Sequence, residues 1–244
     1  MSDQTPVTLF LNRNFGGEAT RILHAFHQQP YDPGAPITNA FAMELLVVAL
    51  LMAFFLLVRA TLSVEEPGFL QQAAEAIHGF VSEQAASIIG PHSARYVMFI
   101  SCVLVFILAC NLIGLIPGLA SPTATPTVTL GVALLVFLYY NFHGIREQGP
   151  IGHAKHFLGP VWWISWMMLP IEIISHLARI LSLSVRLYAN MFAGEMVTLV
   201  FFSLIPVAVP VVFLGLHLGV SLIQAYIFML LTMIYVSQAV AAEH

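Results

Sequence analysis

Charge is scarce in this sequence. Asp, Glu, Lys and Arg make up 8% of its 244 residues, where a soluble domain carries about 25%. So few charges cannot cover a water-facing surface, and a mean hydropathy of +0.89 puts most of the chain in lipid. Lysine occurs once, at Lys155. With a net charge of −4 and no basic patch, nucleic acid is excluded as a partner. The only cysteines, Cys102 and Cys110, are about 12 Å apart along one apolar helix, too far for a disulfide. No H-E-x-x-H pair occurs, which excludes an intramembrane zinc protease. No phosphate-cradling glycine motif occurs either, so nucleotide chemistry would belong to another chain. No metal and no cofactor is expected. No internal repeat of the kind found in secondary transporters is visible. The first 40 residues lack a basic stretch leading straight into an apolar core, so no cleavable signal peptide is expected.

What the chain does have is apolar runs. Residues 41–58 are long enough to span a bilayer. Residues 68–90 alternate polar and apolar at helical spacing and read as an amphipathic segment at the interface. A second span covers 96–116 and ends at Pro117. A neutral linker follows, and a third span runs over 128–140, short unless its Thr-rich flank joins it. Residues 142–156 read as a basic loop holding Arg146, Lys155 and three histidines. Arg59 and Arg95 flank one loop and Arg146 and Lys155 lie in another, so both loops are expected in the cytoplasm and the N-terminus outside. His24, His27, His78, His92, His143, His153 and His156 fall in loops or amphipathic stretches, where solvation explains them. The expected fold is all-α, a polytopic membrane protein with about five embedded helices and an amphipathic N-terminal region. It divides into a polar segment 1–40, helices and loops 41–160, and a helical hairpin 161–244.

The final third carries the chemistry. Residues 170–205 contain no proline after Pro170 and only Gly194 to interrupt a helix. Such a helix is about 54 Å long, against a hydrocarbon core of about 30 Å. Residues 207–242 are similarly too long. Two tilted antiparallel helices turning near Pro206 follow from this. On the first, Glu172, Ser175, His176, Arg179, Ser182, Arg186, Asn190 and Gly194 share a wedge of about 120°. Glu195 lies on another face. On the second, His217, Ser221, Gln224 and Tyr235 form one stripe with Gln238 at its edge. A turn at 205–206 brings Arg186 level with Gln224, Asn190 with Ser221, Glu195 with His217, and Glu172 with Gln238. A lone Ser or Asn in a membrane helix is usually packing glue, and Arg179 alone would snorkel to the interface. Arg186 resists that reading. A central arginine costs about 2.5–3.5 kcal/mol even on the gentlest insertion scale, and an intramembrane ionisable residue is by default a functional candidate.

These residues also carry a family resemblance. SLSVRLYANMFAGE at 182–195 resembles the signature of subunit a of F-type ATP synthases, QAYIFMLLTMIYVSQAVAAEH at 224–244 resembles that family's terminal helix, and NLIGLIPG at 111–118 its second-span motif. Arg186 falls on the family's essential arginine, which the resemblance implies faces the carboxylate of a rotating c-subunit ring and blocks a leak. Asn190, Glu195, His217, Ser221 and Gln224 are the implied outer ion path. Glu172, Ser175, Arg179, Ser182, Tyr235 and Gln238 are the implied inner path. Gly114 stands where some members carry an Asp. The implied partners are the c-ring, peripheral-stalk b-type subunits, other ATP synthase subunits and membrane lipid. The chain itself would be a non-catalytic, ion-translocating subunit of a bacterial cytoplasmic (inner) membrane rather than an organellar one. A reading of a different class is a b-type haem electron carrier ligated by His176 and His217. Their unequal distances from the turn disfavour one shared haem.

Overall fold

The structure, a computed structural model, describes residues 4–25, 35–116, 118–158, 165–204 and 208–240. Among these there are seven α-helices and no strand: α1 (Pro6–Ala25), α2 (Asn39–Ala60), α3 (Phe69–Ile88), α4 (Ala94–Ile113), α5 (Pro126–Leu158), α6 (Ser165–Leu204) and α7 (Ala208–Val240). A 3-10 turn, Pro122–Ala124, links α4 to α5.

Local chemistry explains the helix ends. Thr38 caps α2 by accepting the Phe41 N–H at 3.4 Å, and the Thr61 N–H closes its other end on the Leu57 carbonyl at 3.0 Å. Gly90, at φ 94°, supplies the left-handed residue just after α3. Proline at the first position of α5 removes an N–H that the helix would leave unpaired anyway. Four helical segments are long and apolar enough to cross a membrane: Asn39–Ala60, Ala94–Ile113, Pro126–Glu147 and Val211–Val240. Helix α6 is not in that set, and Glu172, Arg179, Arg186 and Glu195 lie along it.

Several boundaries differ from the sequence reading. The polar N-terminal segment contains α1, fixed to the start of α2 by the paired Asn12 side chain and Ile37 backbone and by the Thr5 N–H donating to Asn39. The second span stops at Ile113, three residues short of the expected end. The Thr-rich flank does join the third span, and the expected basic loop is largely helical, because α5 continues through it with a kink at Gly149 (φ 74°). His143 is consequently a helical residue, its ring packed on Tyr96 and Tyr139 at 5.1 and 4.5 Å. Pro170 lies inside α6 rather than at its start. The turn expected near Pro206 lies outside the described residues.

The core is a bundle around α4, with α3, α5, α6 and α7 packed on it or on one another. Helix α6 contributes Leu183, Leu187 and Met191, one residue per turn, and α7 contributes Ala225, Phe228, Met229, Met233 and Val236. Burial separates the centre from the edge: 44% of the spanning part of α4 is buried but only 22% of α2. Helix α2 exposes Leu45, Met52, Leu56 and Leu57, as lipid-facing helices can, since lipid tails are as apolar as leucine. Between α2, α4 and α5 lies an apolar groove of about 1080 Å³ whose lining includes Glu44 and Arg59.

Two contacts define one end of the bundle. Arg95 pairs with Glu147 at 2.8 Å, and the Ser237 hydroxyl donates to the Ile88 carbonyl at 3.0 Å. The starts of α4 and the ends of α3 and α7 therefore share that end with residue 147 of α5. The 122–124 turn and the C-terminus of α4 lie at the opposite end. Packing of this kind predicts a clear contrast within α6. Leu187→Ala, at a wholly buried position, should destabilise the chain by about 2–5 kcal/mol. Leu181→Ala, at an exposed one, should stay within about 0.5 kcal/mol. Unfolding of the purified chain in detergent measures both.

Candidate functional site

Helices α6 and α7 run antiparallel, with Gly194 against His217, Met191 against Ser221, Asn190 against Gln224 and Arg179 against Tyr235. The near end of this hairpin matches the expected pairing: a Cβ on Gly194 would sit 3.0 Å from His217 Cδ2 and Nε2. Glycine is what lets the imidazole pack there. Farther from the turn the pairing slips. Asn190 donates to Gln224 Oε1 at 2.8 Å, instead of lying level with Ser221. Arg179 sits over the Tyr235 ring, 5.4 Å from its centroid. Side-chain direction accounts for the slip. Helical side chains lean toward their own N-terminus. In a hairpin, those of α6 lean away from the turn and those of α7 toward it. Asn190 and Arg179 thus meet α7 residues about three positions farther out than level.

At the end shared with the 122–124 turn, a buried polar group gathers four elements. The Glu195 carboxylate accepts the Ser121 N–H through Oε1 at 2.7 Å. The Ser121 hydroxyl contacts the Cys110 carbonyl at 2.9 Å and Thr123 Oγ1 at 2.7 Å. Thr123 donates to Asn111 Oδ1 at 2.7 Å, and Asn111 Nδ2 donates to the Ser221 carbonyl at 3.3 Å. His217 is 4% exposed, and its Nε2 has no hydrogen-bond partner among the described residues. Glu195 and His217 are therefore neighbours at one end, but Glu195 bonds the turn and His217 packs on Gly194.

In the middle, Gln224 is buried and its Nε2 lacks a partner among the described residues. Arg186, one turn before Asn190, is exposed on the outside of α6, with no hydrogen bond or ion pair to the described residues. The same helix exposes Leu181, Val185 and Phe192. Toward the other end, the Tyr140 hydroxyl and His176 Nδ1 share a hydrogen bond at 3.0 Å, beside Tyr235. Ser182 donates to the Arg179 carbonyl of its own helix at 3.2 Å, a local bond common for helical serine. Ser175 is half-buried and Gln238 exposed. The side chain of Glu172 lies outside the described residues. Tyr235 is about 27 Å along α7 from His217, so His176, beside Tyr235, and His217 cannot flank one haem iron. Among the described residues no three His, Cys, Asp or Glu converge as metal ligands would.

The structure thus brings together Asn190 with Gln224, Arg179 with Tyr235, and Gly194 with His217. It adds Asn111, Ser121, Thr123 and Tyr140, which sequence reasoning missed. Asn111 opens the NLIGLIPG motif and was the one findable member. Ser121 and Thr123 sit in a neutral linker with no periodic signal.

Comparison with known proteins places these features in context. A family profile described as ATP synthase A chain matches residues 41–237. ATP synthase subunit a of Koribacter versatilis (strain Ellin345) is 52% identical over the whole of both chains. ATP synthase subunit a of Solibacter usitatus (strain Ellin6076) is 48% identical over 86% of this chain and 90% of its own. ATP synthase subunit a 1 of Syntrophotalea carbinolica is 42% identical over 82% and 84% respectively.

The geometry predicts measurable coupling between α6 and α7. In a double-mutant cycle of Asn190→Leu and Gln224→Leu, unfolding in detergent should give a coupling of about 0.6–1.7 kcal/mol, the range of interhelical hydrogen bonds in membranes. A cycle of Ser182→Ala with Gln224→Leu should give none.

Proposed function

The chain belongs to the ATP synthase A chain family, and from that premise we propose that it conducts ions, protons in our reading, past a rotating c-ring, coupling the ion gradient to ATP synthesis by an F-type ATP synthase. One observation carries this reading. Arg186 is a permanent cation on the exposed side of a helix that exposes Leu181, Val185 and Phe192 along with it. Its chain offers it no partner among the described residues. At membrane depth such a group needs a counter-charge or water, and a carboxylate on a neighbouring ring of helices supplies the counter-charge.

The mechanism follows from electrostatics. A guanidinium beside a passing ring carboxylate favours its ionised form and separates the two ion routes. The attraction must be moderate. At 4 Å and an effective dielectric near 20 it is about 4 kcal/mol; a dry site would hold the rotor fast. Glu195, His217, Ser221, Asn190 and Gln224 form the outer route in this reading. Glu172, Ser175, Arg179, Ser182, Tyr235 and Gln238 form the inner one, and the contact of Tyr140 with His176 adds two polar groups beside it.

The remaining assignments rest on charge and length. Arg59, Arg95 and Arg146 favour a cytoplasmic location for the end marked by the Arg95–Glu147 pair. The N-terminus is then outside and the C-terminus cytoplasmic, in a bacterial inner membrane. Residues 1–40 form an outer segment, 41–160 a supporting set of helices, and 161–244 the hairpin bearing the ion path. With 40 residues α6 is about 60 Å long, and with 33 α7 is about 50 Å. Both must cross a core of about 30 Å strongly tilted. Among the described residues, the groove between α2, α4 and α5 is lined by none of α6 or α7. It suits a membrane helix of a peripheral-stalk b-type subunit, on a different surface from the ring.

Arg186→Ala should leave the complex assembled, since removing a costly intramembrane charge need not destabilise a helix. ATP synthesis in vesicles should vanish and passive ion leak should rise. Arg186→Lys should be badly impaired, because an ammonium lacks the planar fork and loses its proton when desolvated. Near-normal synthesis by an assembled Arg186→Ala complex would sink the mechanism. Separately, Glu195→Leu and His217→Leu should each slow ion flux without blocking assembly; unchanged flux in both removes them from the outer route.

A further inference from the structure

We propose that the 121–124 turn is a positioning element for Glu195, with Ser121 supplying the donor and Gly114 the space that lets it do so. The inference rests on the outer route described above and names a part of it that lies on neither α6 nor α7.

Three independent observations converge on this turn. The Ser121 N–H is 2.7 Å from Glu195 Oε1, a short charge-assisted bond when the carboxylate is ionised. Glu195 accepts no other hydrogen bond from the described residues, so this contact alone fixes the direction of its carboxylate. The turn is itself held to α4 by two bonds, Ser121 Oγ on the Cys110 carbonyl and Thr123 Oγ1 on Asn111, all of them buried. Finally, the α4 C-terminus approaches the turn more closely than any side chain allows. A Cβ on Gly114 would lie 2.7 Å from Ser121 Cβ and 3.2 Å from both its Cα and its N. Glycine at 114 is thus a condition for placing that N–H. Gly114 has an ordinary right-handed backbone, φ −68°, so conformation does not call for glycine there. Space does.

A backbone donor suits the task. A carboxylate that exchanges an ion must be held in one place through both charge states without a competing side chain that could itself move. A main-chain N–H locked by two buried hydroxyl bonds meets that need. It leaves the second carboxylate oxygen without a hydrogen bond to the described residues. The price is sensitivity to bulk at residue 114.

The test is a double-mutant cycle on ion flux through the assembled complex in vesicles. Gly114→Ala should push Ser121 back and lower flux about tenfold, the scale of one charge-assisted hydrogen bond. In a Glu195→Asp background, whose shorter side chain no longer reaches Ser121, Gly114→Ala should add little further loss, because both changes break the same contact. A purely structural turn would lower flux by the same factor in either background, and that result overturns the proposal. So does unchanged flux in Gly114→Ala while Glu195→Leu remains slow. Unchanged flux in Glu195→Leu itself would instead remove Glu195 from the route, a failure of the functional reading. If Gly114→Ala does not assemble, Thr123→Val, which frees the turn without adding bulk at 114, enters the same cycle. Loss of assembly in both variants overturns the proposal in favour of a folding role.

Discussion

An arginine keeps its positive charge in any protein environment, so a helix that carries one at membrane depth must present it to a counter-charge or to water. Much of the arrangement around α6 can be read as a consequence. The helix needs one stripe to pack and another to present the guanidinium. Leu183, Leu187 and Met191 provide the first and are at most 2% exposed. Arg186 stands about 100° away from Leu187 on the wheel, which turns it outward as surely as Leu187 is turned in. The polar wedge is therefore not a lining that faces α7 throughout. Its members divide between the seam with α7, where Asn190 and Gly194 make contact, and the outer surface, where Ser182 and Arg186 lie.

The seam has its own logic. Membrane helices gain nothing from hiding apolar surface from one another, so close approach depends on small residues and interhelical hydrogen bonds. Gly194 admits the His217 ring, Ser221 packs on Met191, and Asn190 bonds Gln224. On α7 these contacts fall at successive turns, and they set the register that brings Arg179 over Tyr235 farther along. The sulfur contact from Ser221 is long at 3.9 Å. It shows that packing, more than polar bonding, holds that level.

How much of this was legible beforehand depended on whether the signal was periodic. Apolar runs announced α2, α4 and α7, and the 3.6-residue spacing of Glu172 through Gly194 announced a single long α6. The level of Glu195 with His217 followed from the turn alone. The slip of Asn190 toward Gln224 did not, because depth counting treats side chains as points, whereas they lean along the axis. The basic stretch after Tyr140 looked like a loop because its hydropathy falls. Hydrogen bonding within a helix is indifferent to that, and α5 runs on until Gly149 kinks it. The 122–124 turn left no trace. Its partners are a carbonyl at 110, an amide at 111 and a carboxylate at 195, and no spacing rule connects them.

Glu195 and Arg186 then differ in a way that charge alone would not suggest. The carboxylate is held inside the fold, by a donor that belongs to the backbone of another segment. The guanidinium has no partner among the described residues of its own chain. The proposed ion route needs both treatments. A group that receives and releases an ion repeatedly works best when its geometry is fixed in advance. Under the proposed function, a group that must meet a moving partner works only if its own chain does not satisfy it first, since an internal carboxylate beside Arg186 would compete with the proposed ring carboxylate at an attraction of about 4 kcal/mol. That no described carboxylate lies within ion-pair distance of Arg186 is thus the complement of the close contact made by Glu195. Together they mark one end of α6 as a fixed station and its middle as an open one.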